Sequence, residues 1–211
     1  MRSGGRPSER SWWREWGRVL PAALILFLLL RTFVVEAFRI PSASMERTML
    51  VGDFLLVNKW VYGAEVPFTG RRLPAARVVQ HNDILVFDWP VDPSKAFVKR
   101  VVGLPGDTLA MRDGVLLRNQ VPQQEPYAIR TSAGGEGIRN HWGPVVVPPA
   151  HVFVLGDNRE NSLDSRYWGF VPDSLVRGAP WVVYFSYAHD TTQRFPWLTR
   201  IRWDRVGRTV R

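Results

Sequence analysis

The hydrophobic positions divide the chain into one long apolar run near the N-terminus and many short runs beyond it. Residues 19–30 (VLPAALILFLLL) are all apolar, and RTFVVEAF continues the run with Arg31 and Glu36 as its charges. About 20 such residues are enough to cross a bilayer as a helix. We therefore predict a transmembrane anchor over residues 19–38, preceded by a basic tail at 1–18.

Two other interpretations of the apolar run remain open. Its unbroken part has the length of a signal-peptide core, and Val35-Glu36-Ala37 resembles a small-x-small cleavage site. A buried core helix is the other alternative. We favour the anchor because apolar residues resume after Arg31. An arginine within the bilayer costs about 3 kcal/mol, so we place Arg31 near the membrane interface or in a pair within the protein.

Positive charge is concentrated at the two ends of the chain, which has a formal net charge of +9. The arginines concerned are Arg2, Arg6, Arg10, Arg14 and Arg18, and Arg200, Arg202, Arg205, Arg208 and Arg211. Both groups suit an anionic membrane surface better than nucleic acid, because a nucleic-acid binder would carry its positive charge in one basic domain. The first group, with Trp12, Trp13 and Trp16 at the expected aromatic belt, predicts a cytoplasmic N-terminus and a domain on the outer side.

Short runs of Val, Ile and Phe alternate with Gly and Pro turns after the apolar run, which is typical of β-strands. Strands are predicted in the segments 54–62, 83–90, 96–103, 152–157 and 181–187. Asp113-Gly114 predicts a two-residue hairpin. Residues 121–150 are polar and rich in Gly and Pro, which indicates an appended hairpin or loop region. The outer part should therefore be mainly β.

Three separated clusters carry the candidate chemistry. They are PSASM at 41–45, FVKRVVGLPGD at 97–107 and GDNRENSLDSRYWG at 156–169. The chain has no cysteine, which excludes thiol catalysis and cysteine-based zinc sites. Histidines 81, 141, 151 and 189 show no triad or metal spacing. The hydroxyls, the lysine and the charged network of the clusters are the remaining candidates.

Lys99 is the candidate base because it lies among apolar residues of a predicted buried strand. Burial disfavours the charged amine and lowers its pKa, so that the neutral form can accept a proton. A serine hydroxyl is a poor nucleophile until a base removes its proton. Taken alone, each cluster could equally be an ordinary turn or a solvated charge.

Together and in this order, the three clusters resemble the signature boxes of bacterial type I signal peptidases, with the resemblance spanning about residues 20–187. It implies a mainly β fold, in which a signal-peptidase-like antiparallel β-sheet catalytic core (39–107 and 151–190) carries a small accessory β-region (108–150). One N-terminal transmembrane helix precedes this core, and a basic C-terminal tail (191–211) follows it.

The resemblance also implies roles for individual residues. Ser44 is the expected nucleophile and Lys99 the general base, while Ser42 and the Ser44 N–H form the oxyanion hole. Ser162 is expected to orient the Lys99 amine, and Met45 is a candidate wall of the substrate pocket. The expected supporting shell of ion pairs and hydrogen bonds is Arg100, Asp157, Asp164 and Arg166, with the pairing of acids and arginines left open.

The implied activity is removal of signal peptides from exported preproteins after small residues, in Ala-x-Ala sites, at the bacterial inner membrane. The expected partners are these preproteins, the lipid bilayer and the secretion translocon, without nucleic acid, metal or cofactor. One departure is that Arg47 and Met49 replace the family's usual Pro and Leu. The alternative functions are a catalytically silent, membrane-tethered β-domain that binds exported chains, a Ser-Lys self-cleaving repressor and a nucleic-acid binder.

Overall fold

The fold is described from a computed structural model for residues 9–67, 69–130, 140–188 and 196–210. Some predictions lie outside these described residues: those on Arg2 and Arg6, on the Gly-rich stretch 131–137, on residues 191–195, on His189 and on Arg211.

A long helix, α1 (Glu9–Phe33), contains the apolar run. Its window Trp16–Phe33 has a mean hydropathy of 1.6, and none of that window is buried within the protein. By length and composition the helix can cross a bilayer. The interpretation of the run as a buried core helix is therefore wrong.

The helix ends at Phe33, earlier than the predicted end of the anchor at residue 38. Val35–Arg39 instead forms strand β1, which pairs antiparallel with β2 (Asp53–Asn58). Adjacent β-branched valines favour extended backbone, and the strand's hydrogen bonds to β2 hold it. Glu36 consequently lies outside the helix and pairs with Arg177 at 3.0 Å.

The remaining elements follow along the chain. The strands are β3 (Glu65–Val66), β4 (Arg71–Arg72), β5 (Ile84–Trp89), β6 (Asp92–Gly103), β7 (Thr108–Arg112), β8 (Val115–Arg118), β9 (Val121–Pro122), β10 (Trp142–Val146), β11 (His151–Leu155), β12 (Val171–Pro172) and β13 (Val176–Ser186). Short helices are α2 (Ser165–Trp168) and α3 (Pro196–Thr199), and 3-10 turns occupy Ala43–Met45, Trp60–Tyr62, Asp173–Leu175 and Trp203–Arg205.

A seven-stranded sheet in the order β1-β2-β13-β5-β6-β11-β12 forms the centre of the protein. Every neighbouring pair is antiparallel, which confirms the predicted β architecture. The first four residues of β5, 84–87, are all apolar and buried, which is typical of a strand covered on both faces. Ile84 and Val86 pack in one cluster with Leu55, while Leu85 and Phe87 pack in another.

A second, four-stranded sheet in the order β10-β7-β8-β9 forms the accessory region and is more extensive than a hairpin. The predicted Asp113-Gly114 turn is confirmed, since Arg112 pairs with Val115 and both turn residues have positive φ. Leu109 and other apolar side chains of this sheet pack against Phe153 of β11. The accessory region is thereby tied to the strand that precedes the third cluster.

Two of the C-terminal arginines face the protein rather than lipid, contrary to expectation. Arg205 is buried and donates to both carboxylate oxygens of Asp53 in β2. Arg202 donates to the Ser186 hydroxyl and to backbone carbonyls. Their charges are satisfied inside the fold, so these two side chains do not form a lipid-facing surface.

Candidate active site

The structure brings all three sequence clusters together around Ser44. This residue lies in the 3-10 turn between β1 and β2, where the buried Met45 and Met49 anchor the turn in the core. The Ser44 carbonyl accepts a hydrogen bond of 3.0 Å from the N–H of Asn158 in the third cluster. Strand β6 supplies Lys99 from the second cluster.

The Lys99 amine lies 2.5 Å from the Ser44 hydroxyl, measured from Nζ to Oγ. Only 1% of Lys99 is exposed. Burial lowers the pKa of Lys99 to about 8, against the opposing effects of Asp164 and Asp157 and together with that of Arg166. A substantial fraction of this amine is therefore neutral near pH 8 and able to accept a proton.

Ser42 points at the nucleophile candidate and borders a pocket. Its Oγ donates to Ser44 Oγ across 3.4 Å. A pocket of about 130 Å³ opens beside the two hydroxyls. Its lining includes Phe38, Ile40, Met45, Ala96, Val98 and Lys99. The pocket is thus apolar apart from the serines and the lysine, and Met45 forms part of its wall.

Ser162 lies in the site without the expected hydrogen bond to Lys99. Its Oγ is buried and has no hydrogen-bond partner among the described residues. The position of Gly156 explains how close Ser162 is, because a Cβ at Gly156 would lie 2.6 Å from both Ser162 Cβ and the Ser44 carbonyl oxygen. The orienting role of Ser162 stays a prediction.

The supporting shell contains two buried ion pairs, Arg100–Asp157 and Arg166–Asp164. The sequence alone had left this pairing open. Arg100 donates from Nε and Nη2 to the two carboxylate oxygens of Asp157, at 2.8 and 2.7 Å. Arg166 donates to both oxygens of Asp164 at 2.8 Å. Buried charges are stable only when paired and hydrogen-bonded, which both pairs satisfy. Asp164 also accepts from the Gly156 N–H at 3.0 Å.

Sequence reasoning missed three polar residues of this shell. Thr48 donates to Asp157 at 2.6 Å, and Arg159 forms an ion pair with Glu125 of the accessory region. Arg159 belongs to the third cluster, but spacing gave no indication of its partner. Glu125 lies in a polar, proline-rich stretch that carries no recognisable signal.

The two departures from the family pattern have different structural consequences. Met49 is fully buried in the core, where it fills the place of another large apolar side chain. Arg47 has a φ of 85°. Proline cannot adopt that angle because its ring fixes φ near about −65°. The backbone of this loop therefore takes a path at Arg47 that the usual residue would not allow.

The histidines are bound elsewhere within the described residues. His81 lies 2.6 Å from Asp107, His141 3.1 Å from Asp113, and His151 2.8 Å from the Pro149 carbonyl. Groups of three or more His, Asp or Glu that could hold a metal are absent from the described part of the chain. Among the described residues, the Ser44 hydroxyl therefore contacts the Lys99 amine rather than a histidine.

Comparison with known proteins decides the family. Residues 13–185 match the family described as signal peptidase, peptidase S26. The chain belongs to this family. Signal peptidase I of Pseudomonas fluorescens is 34% identical over 220 residues, covering 89% of this chain and 78% of that protein. A probable signal peptidase I-2 of Synechocystis sp. is 38% identical over 185 residues, covering 85% of this chain and 76% of that protein.

A crystal structure of a signal peptidase I from Enterococcus faecalis V583 is 33% identical, covers 50% of this chain and 98% of that chain, and has a TM-score of 0.42. As a member of the signal peptidase family, the chain is a serine endopeptidase. Family membership and the apolar helix α1 are consistent with a protein of the inner membrane.

Proposed function

We propose that this protein removes N-terminal signal peptides from exported preproteins, cutting after small residues, with Ser44 as nucleophile and Lys99 as general base. The observation that carries the proposal is the 2.5 Å contact between Lys99 Nζ and Ser44 Oγ in a buried setting. A hydroxyl and an amine at that distance can exchange a proton directly.

The chemistry follows the acyl-transfer scheme of serine proteases. Neutral Lys99 takes the Ser44 proton as Oγ attacks the scissile carbonyl, and the carbonyl oxygen becomes negative. The Ser44 N–H and the Ser42 hydroxyl stabilise that oxygen. The Lys99 ammonium then protonates the leaving amine of the substrate. Lys99, now neutral again, activates the water that hydrolyses the acyl-enzyme.

The free edge of β6 supports binding of the substrate as an added strand. Among the described residues, β6 pairs with β11 only between Arg100 and Gly103, so the edge before Lys99 is unpaired on that side. An extended peptide can hydrogen-bond to such an edge while pockets accept alternate side chains. The apolar lining of the pocket beside Ser44 suits an uncharged, apolar side chain such as that of alanine.

The membrane part of the proposal places α1 across the bacterial inner membrane as a single span, with its N-terminus cytoplasmic and the β-domain outside. Ser44 follows closely on the end of this helix at Phe33. The active site would thus be near the membrane surface, where a preprotein's cleavage site emerges from the translocon. Arg31, in the last turn of α1, is exposed and would meet the lipid headgroups.

Cleavage of a preprotein with an Ala-x-Ala site by the detergent-solubilised full chain tests this function. We expect wild type to cut after the second alanine, as read by mass spectrometry of the products, and Ser44→Ala and Lys99→Ala to be inactive while folded. Ser174→Ala and Lys59→Ala are matched controls away from the site and should cut normally. A wild type inert toward several such preproteins would instead support the silent binding domain.

A further inference from the structure

A short piece of the accessory region, the segment 125–130, lies directly on the loop that follows β11. The N–H of Ile129 donates to the Asp157 carbonyl at 2.7 Å, and the N–H of Arg159 donates to the Ile129 carbonyl at 3.1 Å. Ile129 and Asn158 form a parallel β-bridge. The segment is therefore attached by backbone hydrogen bonds to the loop that carries Asp157.

A buried ion pair joins the same two pieces of chain through their side chains. Arg159 donates from Nη1 to Glu125 Oε2 at 2.8 Å and from Nη2 to the other carboxylate oxygen. The side chains of Glu125 and Arg159 are 1% and 4% exposed. Such a fork fixes the guanidinium plane as well as its position. Arg130 also donates to Glu125, from the more exposed side.

The guanidinium held by Glu125 reaches the backbone beside the nucleophile. Arg159 Nε donates to the Gly156 carbonyl at 3.1 Å. The other polar group of Gly156, its N–H, is held by Asp164. Arg166 links the two sides of this network, since it binds Asp164 and donates from Nη2 to the Arg159 carbonyl at 2.8 Å. Both hydrogen-bonding groups of Gly156 thus depend on charged side chains.

Gly156 in turn lies against Ser162 and the Ser44 carbonyl. A Cβ at residue 156 would lie 2.6 Å from Ser162 Cβ and 2.6 Å from the Ser44 carbonyl oxygen, so no space is left for a side chain there. A shift of this peptide moves Ser162 and the turn that presents Ser44. Displacements of about 1 Å in such a constellation can cost about 100-fold in rate.

We propose that Glu125 is a positioning residue for the catalytic dyad, acting through Arg159 and the Gly156 carbonyl on Ser162 and Ser44. The inference rests on the proposed function. It gives the accessory region a part in the chemistry, because the segment 125–130 of that region sets the geometry of a site formed by other strands.

The experiment compares Glu125→Gln with wild type in cleavage of the Ala-x-Ala preprotein, with kcat and KM measured separately. We expect kcat to fall about 10- to 100-fold with KM nearly unchanged, because the reacting groups and not the binding edge of β6 are displaced. Glu125→Asp, which keeps the charge, should restore part of kcat. The matched control Arg130→Gln removes the other cation on Glu125 and should retain wild-type kcat.

A variant that leaves Arg159 as an unpaired buried cation can lose activity simply by unfolding. The double variant Glu125→Gln/Arg159→Gln removes that cation and should recover thermal stability, while its kcat stays low because the hydrogen bond from Arg159 to Gly156 is also lost. Recovery of both stability and kcat in the double variant would overturn the proposal and leave Glu125 a structural residue.

The outcomes separate the inference from the function on which it rests. An inert wild type overturns the proposed function and this inference with it. An active wild type with an equally active, folded Glu125→Gln overturns the inference alone. Low kcat in Glu125→Gln, partial rescue by Glu125→Asp and normal kcat in Arg130→Gln support it.

Discussion

Lys99 Nζ and Ser44 Oγ are 2.5 Å apart although the two residues are separated by 55 positions in the chain. The contact forms because Lys99 points from the interior of β6 toward the turn that follows β1. Burial makes the charged form of this lysine unfavourable in the folded protein and thereby lowers the pKa of the amine.

Activity should depend on the protonation of Lys99. Since its pKa is lowered to about 8, kcat/KM for preprotein cleavage should rise with pH and reach half its limit near pH 8. An ordinary lysine would place that midpoint at 10.5. The measurement is a pH profile of kcat/KM in detergent, with stability followed in parallel. A midpoint near 10.5 would contradict the prediction that a base with a lowered pKa controls the activity.

Replacing Lys99 by methionine should stabilise the protein while abolishing cleavage. Below pH 8 the lysine is charged in both folded and unfolded states, so the folded state carries the full burial penalty. The penalty disappears as pH rises from about 8 to 10.5, so wild-type stability should rise relative to Lys99→Met over this window. The shift corresponds to about 3 kcal/mol near pH 7.

Denaturant unfolding of wild type and Lys99→Met at pH 7 and at pH 10.5 measures this difference. Lys59→Met, at a partly exposed lysine, is the matched control and should show no such gain. A Lys99→Met protein that is less stable than wild type at pH 7 would contradict the prediction.

Alanine at Gly156 should impair both folding and activity. Its Cβ would lie 2.6 Å from the Ser44 carbonyl oxygen, closer than the 3.0 Å that real Cβ contacts keep. Overpacking of this kind costs about 1–3 kcal/mol. Thermal unfolding and cleavage assays should show a lower Tm and a lower kcat. Adding Ser162→Gly removes only the side-chain clash, so the double variant should stay impaired; full recovery would locate the clash at Ser162 alone.

The sequence singled out Ser44 and Lys99, which the structure brings into contact, but it gave no indication of the surrounding contacts of Thr48, Arg159 and Glu125. Lys99 could be singled out because burial of a lysine among apolar strand residues lowers its pKa. The predicted end of the anchor at residue 38 was too late because residues 34–38 are mostly apolar, whereas pairing with β2 makes Val35–Arg39 a strand. Glu125 gave no local signal, since its role depends on Arg159 in a distant loop.

The C-terminal arginines show the same limitation, because composition made Arg205 and Arg208 equivalent. In the structure Arg205 is buried against Asp53, whereas Arg208 is exposed. The distinction comes from packing of residues 196–210 on β2 and β13, through bridges such as Val182 to Thr209. Periodicity and charge counts carry no information on pairs so far apart in the chain.

The Asp53–Arg205 pair should therefore control stability rather than lipid binding. Asp53 is fully buried, and although burial alone would raise its pKa, hydrogen bonds from Arg205, Leu50 and Ser186 hold that pKa below 3.8. Arg205→Met removes the nearer of the two cations at this buried carboxylate and leaves Arg202 at 3.6 Å, so the cost should be up to about 3–5 kcal/mol. Arg208→Met, at the exposed arginine, should change stability by less than about 0.5 kcal/mol.

The sign of the pH dependence gives this last prediction a second test. A carboxyl whose folded pKa is lowered contributes stability above its unfolded pKa, and the contribution is lost as pH falls through the folded value, below 3.8. Wild type should thus lose this stability in acid, whereas Arg205→Met should already lack it at pH 7. Urea unfolding at pH 7 and pH 3 measures both; equal stability of Arg205→Met and Arg208→Met at pH 7 would refute the role of the pair.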